Sequence, residues 1–130
     1  SSDIVEKFCN DLSLLDIKTI SLSDTIGVSS PHLIEKLFSN LTNSYPHIEF
    51  GAHFHTSLSN CDAILHSAHK SGCRRFDSTI MGFGGCPMAN NDLVGNLPTE
   101  KLISFLENQS CGHNLSVSRL NEVVENFNYF

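Results

Sequence analysis

Helical and strand periodicities alternate along most of this chain, and that alternation restricts its fold more than any other feature. From Asp3 to about Leu15, the residues Ile4, Val5, Phe8, Cys9, Leu12 and Leu15 recur at helical spacing, with Ser2 or Asp3 able to cap the start. Thr19-Ile20-Ser21-Leu22-Ser23 then alternates polar and apolar as a strand does, and the pattern stops at Asp24 before Gly27. Ser29-Ser30-Pro31 is a helix start, and Leu33, Ile34, Leu37, Phe38 and Leu41 supply its apolar face. Ile48, Phe50, Ala52 and Phe54 form one row of a second strand, and Glu49, Gly51, His53 and His55 form the other.

A third helix, capped by Ser57 or Ser59, runs to Gly72, and a third strand is expected from Arg75 to Met81. A glycine-rich loop from Gly82 to Asn96 separates that strand from a helix capped by Thr99, with Glu100 in its first turn where the dipole favours negative charge. A last helical pattern, Leu120, Val123, Val124 and Phe127, follows Ser116 or Ser118. Alternation of this kind implies a parallel sheet with helices outside it. The odd-numbered row of the second strand is too polar for an open hydrophobic sheet, and fits a barrel interior near its mouth.

Composition narrows the function classes. A net charge of -6, with charges scattered rather than blocked, offers no basic stripe for a phosphate backbone, so no nucleic acid is expected as partner. No apolar run approaches the ~20 residues of a membrane span, so no membrane partner is expected either. Cys9, Cys61, Cys73, Cys86 and Cys111 make an odd count without a CxxC pair, which argues for an intracellular, reducing compartment. The chain opens at Ser1 directly into helical periodicity, as a processed product or a piece of a longer protein would.

The chemistry-bearing residues gather at one end of the expected sheet. Residues i and i+2 of a strand share a face, so His53 and His55 project into one space where the strand stops, a metal-ligand geometry. The bland account is a pair of hydrogen-bonded histidines. Asp24 closes the preceding strand, and Cys86 and Asn96 lie in the loop after the following one, so all share the end where parallel α/β folds build active sites. The loop lacks the Lys-Ser or Lys-Thr of a phosphate cradle, and its glycines suit a mobile loop carrying Cys86 over a site. His66 and His69, flanked by Cys61 and Cys73, have poor zinc spacing and read as exposed histidines near a helix C-terminus.

Taken together, Ile20-Ser21-Leu22-Ser23-Asp24-Thr25-Ile26-Gly27, His53-Phe54-His55, Gly84-Gly85-Cys86-Pro87 and Gly95-Asn96-Leu97-Pro98-Thr99-Glu100 resemble the 3-hydroxy-3-methylglutaryl-CoA lyases. These belong to the metal-dependent TIM-barrel lyases and synthases with an Asp-Arg-Glu signature on the first strand. The resemblance implies an α/β fold that is a partial TIM barrel: the last three βα units plus C-terminal helices, with residues 1–130 the C-terminal portion of one lyase domain. Related synthases and aldolases share the His-x-His, and the Gly-Gly-Cys-Pro loop separates the lyases from the synthases. Two departures stand out: Thr56 where many relatives have Asp, and one extra residue between Cys86 and Asn96.

By that resemblance His53, His55 and Asn96 are metal ligands, for Mg²⁺ or Mn²⁺, and Cys86, Asp24 and His53 are catalytic. The implied reaction is retro-Claisen cleavage of an acyl-CoA substrate to acetyl-CoA and acetoacetate. The implied partners are the missing N-terminal barrel half or a complementary chain, and a homo-oligomer is compatible; the compartment is cytoplasmic or mitochondrial. The isolated chain is expected to bind metal weakly and turn over little. The alternatives are a barrel remnant serving as a binding module, and a related acyl-CoA lyase or aldolase.

Overall fold

A computed structural model describes residues 2–85 and 94–127. Helix α1 (Ser2–Leu14) leads into strand β1 (Thr19–Asp24), α2 (Pro31–Ser44), β2 (Glu49–Thr56), α3 (Cys61–Lys70) and β3 (Arg75–Asp77). After a 3₁₀ turn at Ile80–Gly82 come β4 (Gly95–Asn96), α4 (Thr99–Asn108) and α5 (Val117–Phe127). β1, β2 and β3 are parallel in the order β1-β2-β3. Every crossover is a helix, as expected from the alternating periodicities. Among the described residues no helix is long and apolar enough to cross a membrane.

The two rows of β2 separate as their chemistry requires. Ile48, Phe50, Ala52 and Phe54 are at most 6% exposed, packed under α2 and α3 with Ile34, Phe38 and Ile64. Phe38 meets Phe54 edge to face, with ring centroids 6.3 Å apart. The opposite face is polar: Glu49 lies 3.8 Å from the Arg75 guanidinium, and Gly51 leaves room beside Ser21 and the Arg75 stem. A smaller core of Cys61, Leu65, Leu97, Leu102 and Phe105 seats α4 against α3.

Ser30 caps α2 as expected, its hydroxyl accepting the Leu33 N–H at 3.2 Å with Pro31 following, and Gly72 takes φ +98° after α3. Other boundaries differ from the sequence reading. β3 ends at Asp77 rather than Met81, because Met81 turns to φ 54° and its N–H bonds the Glu100 carboxylate at 2.9 and 3.1 Å. Thr99 does not cap α4; it is the first helical residue, and its hydroxyl pairs with that of Ser78 at 3.0 Å. Neither Ser57 nor Ser59 caps α3: they pair with each other at 2.9 Å, and the backbone carbonyl of Ser57 takes the Asn60 and Cys61 N–H groups.

Candidate functional site

β2 delivers both histidines to the C-terminal end of the parallel sheet. Their ring centroids lie 5.5 Å apart at an interplanar angle of 55°. His53 sits in register between Ser23 on β1 and Asp77 on β3. Its Nδ1 is 3.3 Å from Asp77 Oδ2. A carboxylate only accepts, so Nδ1 carries the proton in this contact, which leaves the lone pair of the neutral ring on Nε2. No motif or period of the sequence marks Asp77; its one signal is that it is an aspartate near the end of an expected strand.

His55 is 6% exposed, and its Nδ1 is buried without a hydrogen-bond partner among the described residues. Burial and the neighbouring His53 lower its pKa, against a weaker opposing pull from Asp24. The ring is thereby held neutral, the form that donates a lone pair. Directly across an antiparallel pairing stands Asn96, on the short β4. Its amide nitrogen donates to the carbonyls of Phe83 at 3.0 Å and Gly84 at 2.9 Å. Both amide hydrogens are consumed, and the oxygen is what Asn96 has left to offer.

The glycines make this arrangement sterically possible. A Cβ on Gly82 would lie 2.7 Å from the Asn96 carbonyl oxygen, one on Gly95 2.7 Å from that of Gly82, and one on Gly27 2.9 Å from that of His55. Gly82 and Gly27 also hold φ of +67° and +66°. The described part of the loop expected to be mobile is therefore close-packed backbone around Asn96. Leu97 ties the segment further to the sheet, its N–H donating to the Phe54 carbonyl at 3.1 Å and its own carbonyl accepting from the Thr79 N–H at 3.0 Å.

Asp24 is brought to the same end of the sheet, but in the register row of Phe54 rather than His53. Its oxygens accept the N–H groups of Val28 at 3.2 Å and Ser29 at 2.7 Å, which shapes the loop whose Gly27 abuts His55. Cys86 lies outside the described residues. Among those described, no group of three or more His, Cys, Asp or Glu is placed to hold a metal ion. What the register places side by side is two imidazoles and a side-chain amide, nitrogen and oxygen donors of the kind a hard divalent cation takes.

The histidines of α3 form no such site. Cys61 and Cys73 are fully buried, and burial pushes their thiols up to about 11 and about 12. His66 is exposed as expected, but His69 is half-buried edge-on to Phe105, with centroids 5.5 Å apart.

Asp77 allows a direct check of the His53 geometry. Outer partners of ligating histidines are worth 10–100-fold in metal affinity. Asp77→Ala is expected to weaken Mn²⁺ binding by about tenfold or more, with Asp77→Asn intermediate, measured by titration against paramagnetic resonance of free Mn²⁺. Unchanged affinity in Asp77→Ala would remove Asp77 from the site.

The HMGL-like family model matches residues 2–126. The chain belongs to the HMGL-like family. It is 36% identical over 104 residues to the hydroxymethylglutaryl-CoA lyase of Pseudomonas mevalonii, covering 80% of this chain and 34% of that protein. The HMG-CoA lyase structure from Bacillus subtilis superposes with a TM-score of 0.85 at 28% identity, covering 96% of this chain and 42% of that one. The Acinetobacter baumannii HMG-CoA lyase, solved with coenzyme A and 3-methylmalate, gives 0.83 at 27% identity over 95% and 40%. This chain thus spans about a third of the curated relatives it matches, and its fold is part of a TIM barrel.

Proposed function

We propose that residues 1–130 form the last three βα units and C-terminal helices of a lyase barrel that cleaves a 3-hydroxy-3-methylglutaryl-CoA type substrate to acetyl-CoA and acetoacetate. The observation that supports this is the placement of His53, His55 and Asn96, whose amide nitrogen is already bonded, at the C-terminal end of β2. Members of the family depend on divalent metals. Here the three residues would hold Mg²⁺ or Mn²⁺, which when bound polarises the substrate's oxygens and fixes their position. A donor set without thiolate suits such hard ions better than a closed zinc site.

The chain's own groups divide the remaining work. Asp24 accepts the proton of the substrate's tertiary hydroxyl as the carbon–carbon bond breaks and the ketone forms; His53, with Nδ1 protonated toward Asp77 and Nε2 given to the metal, keeps no lone pair for that step and orients the ion instead. The electron pair goes to the acetyl-CoA fragment, which takes a proton from the Cys86 thiol. The coenzyme A bound in the Acinetobacter relative supports an acyl-CoA substrate. The four described cysteines, Cys9, Cys61, Cys73 and Cys111, are free thiols, which supports a reducing compartment, cytoplasmic or mitochondrial.

On this reading a carboxylate ligand and the remaining strands are supplied by residues outside 1–130, as the share of the relatives' length that the chain spans allows. Among the described residues β1 and β3 each pair with a single strand, and edges of this kind invite another chain. The 130 residues purified alone are expected to bind Mn²⁺ weakly and to show little or no cleavage. Mixed with the five N-terminal βα units of a relative, they are expected to recover both, followed by acetoacetate release. Turnover by the chain alone at the rate of a full-length lyase would contradict the proposal; a stable complex without metal binding or cleavage would instead mark a binding module.

A further inference from the structure

Two carbonyls, those of Phe83 and Gly84, hold the Asn96 amide nitrogen, which leaves the oxygen as the end of the side chain without a hydrogen bond among the described residues. What fixes those carbonyls is therefore part of the site. The turn that carries them is built from the least restrained residues available: Gly82 at φ +67° and Gly84 at φ +89° flank Phe83. Within the turn, Phe83 N–H bonds Ile80 at 2.9 Å, and the Phe83 carbonyl takes a second hydrogen bond from the Thr79 hydroxyl at 2.9 Å.

The Phe83 side chain is 69% exposed, an unusual place for a large apolar ring. It is met by Phe127, in the last turn of α5, with centroids 5.2 Å apart and planes at 74°, the favoured edge-to-face arrangement. α5 is amphipathic but has no buried residue, so it contributes little to the core. One of its ordered contacts falls on the turn that orients Asn96.

We infer that Phe83 and Phe127 are positioning residues for Asn96: α5 clamps, through this one aromatic contact, the turn whose carbonyls aim the Asn96 oxygen. The inference rests on the reading of Asn96 as a metal ligand only for its functional consequence. The positional part stands on the hydrogen bonds alone. A helix outside the strand layer thereby sets how well the third ligand is presented, and anything that lifts α5 from Phe83 loosens the site.

Two readouts test this in the 130-residue chain. The side-chain amide pair of Asn96, assigned by its disappearance in Asn96→Ala, reports the two hydrogen bonds by its proton shifts and exchange rate in the absence of metal. Mn²⁺ titration reports the consequence. Phe127→Ala is expected to move the Asn96 amide protons toward their solvent-exposed positions, speed their exchange, and weaken Mn²⁺ binding by about tenfold, the lower end for an outer-shell partner. Phe127→Tyr, which keeps the ring edge, is expected to restore both.

Val123→Ala, at a position 48% exposed on the same helix, is expected to change neither. Wild-type amide signals in Phe127→Ala would overturn the inference, as would an equal disturbance from Val123→Ala. If Asn96→Ala itself left Mn²⁺ affinity unchanged, the ligand reading would fall, while the amide signals would still decide whether Phe127 positions Asn96.

Discussion

Replacing His55 by Leu is expected to make the metal-free chain more stable and to abolish divalent-metal binding. The first half follows from burial. His55 is 6% exposed, and its Nδ1 has no hydrogen-bond partner among the described residues. A buried polar atom without a partner costs about 1–3 kcal/mol, and leucine fills a similar volume without one. A gain of about 1 kcal/mol, or a few degrees in Tm, is the expected reading from urea and thermal unfolding.

The second half follows from position. His55 faces Asn96 across the β2–β4 pairing and neighbours His53, so under the proposed function its loss removes a direct ligand. The cost to Mn²⁺ affinity should exceed the roughly 10–100-fold attributed to outer-shell partners. Opposite signs for stability and binding mark a residue kept for chemistry rather than for folding. A destabilised His55→Leu chain would mean that the ring serves the core; retained Mn²⁺ affinity would take His55 out of the metal site.

The sequence displayed the fold wherever a period ran long enough to be counted. Phe50, Ala52 and Phe54 repeat every second residue and Ile34, Phe38 and Leu41 at helical spacing, and all are buried in the one core cluster. β4 could not be seen that way, because Gly95 and Asn96 are two residues and carry no period. The strand pattern to Met81 overruns β3, which ends at Asp77, for a related reason. Ile80 and Met81 suit a strand locally, and the group that turns Met81 aside is Glu100, nineteen residues further on.

The site was legible as residue types and not as contacts. His53, His55 and Asn96 were recognisable from a motif and a resemblance, and the structure sets all three at one end of β2. Asp77 was missed because its relation to His53 is a matter of register between strands, and register is decided by tertiary packing. The glycines were legible as glycines, but loop freedom and close backbone approach leave the same letters. The distances around Gly82 and Gly95 decide for close approach.

That distinction can be measured by substituting two glycines alike. Gly82→Ala places a left-handed φ of +67° on a residue with a side chain, at about 1–2 kcal/mol. It also pushes the new Cβ to 2.7 Å from the Asn96 carbonyl oxygen, a backbone atom that cannot swing away. The two penalties together should remove roughly 2–4 kcal/mol and separate the Gly82 turn from β4. Because that turn holds the Asn96 amide, Mn²⁺ affinity should fall with stability. Gly112→Ala is the matched control: nothing lies within 4 Å of its new Cβ, so it should be neutral, or stabilise by a few tenths of a kcal/mol through the unfolded chain. Equal unfolding midpoints for the two variants would show the turn around Gly82 to be as yielding as an ordinary loop. Asn96 would then have no fixed carbonyls to orient it.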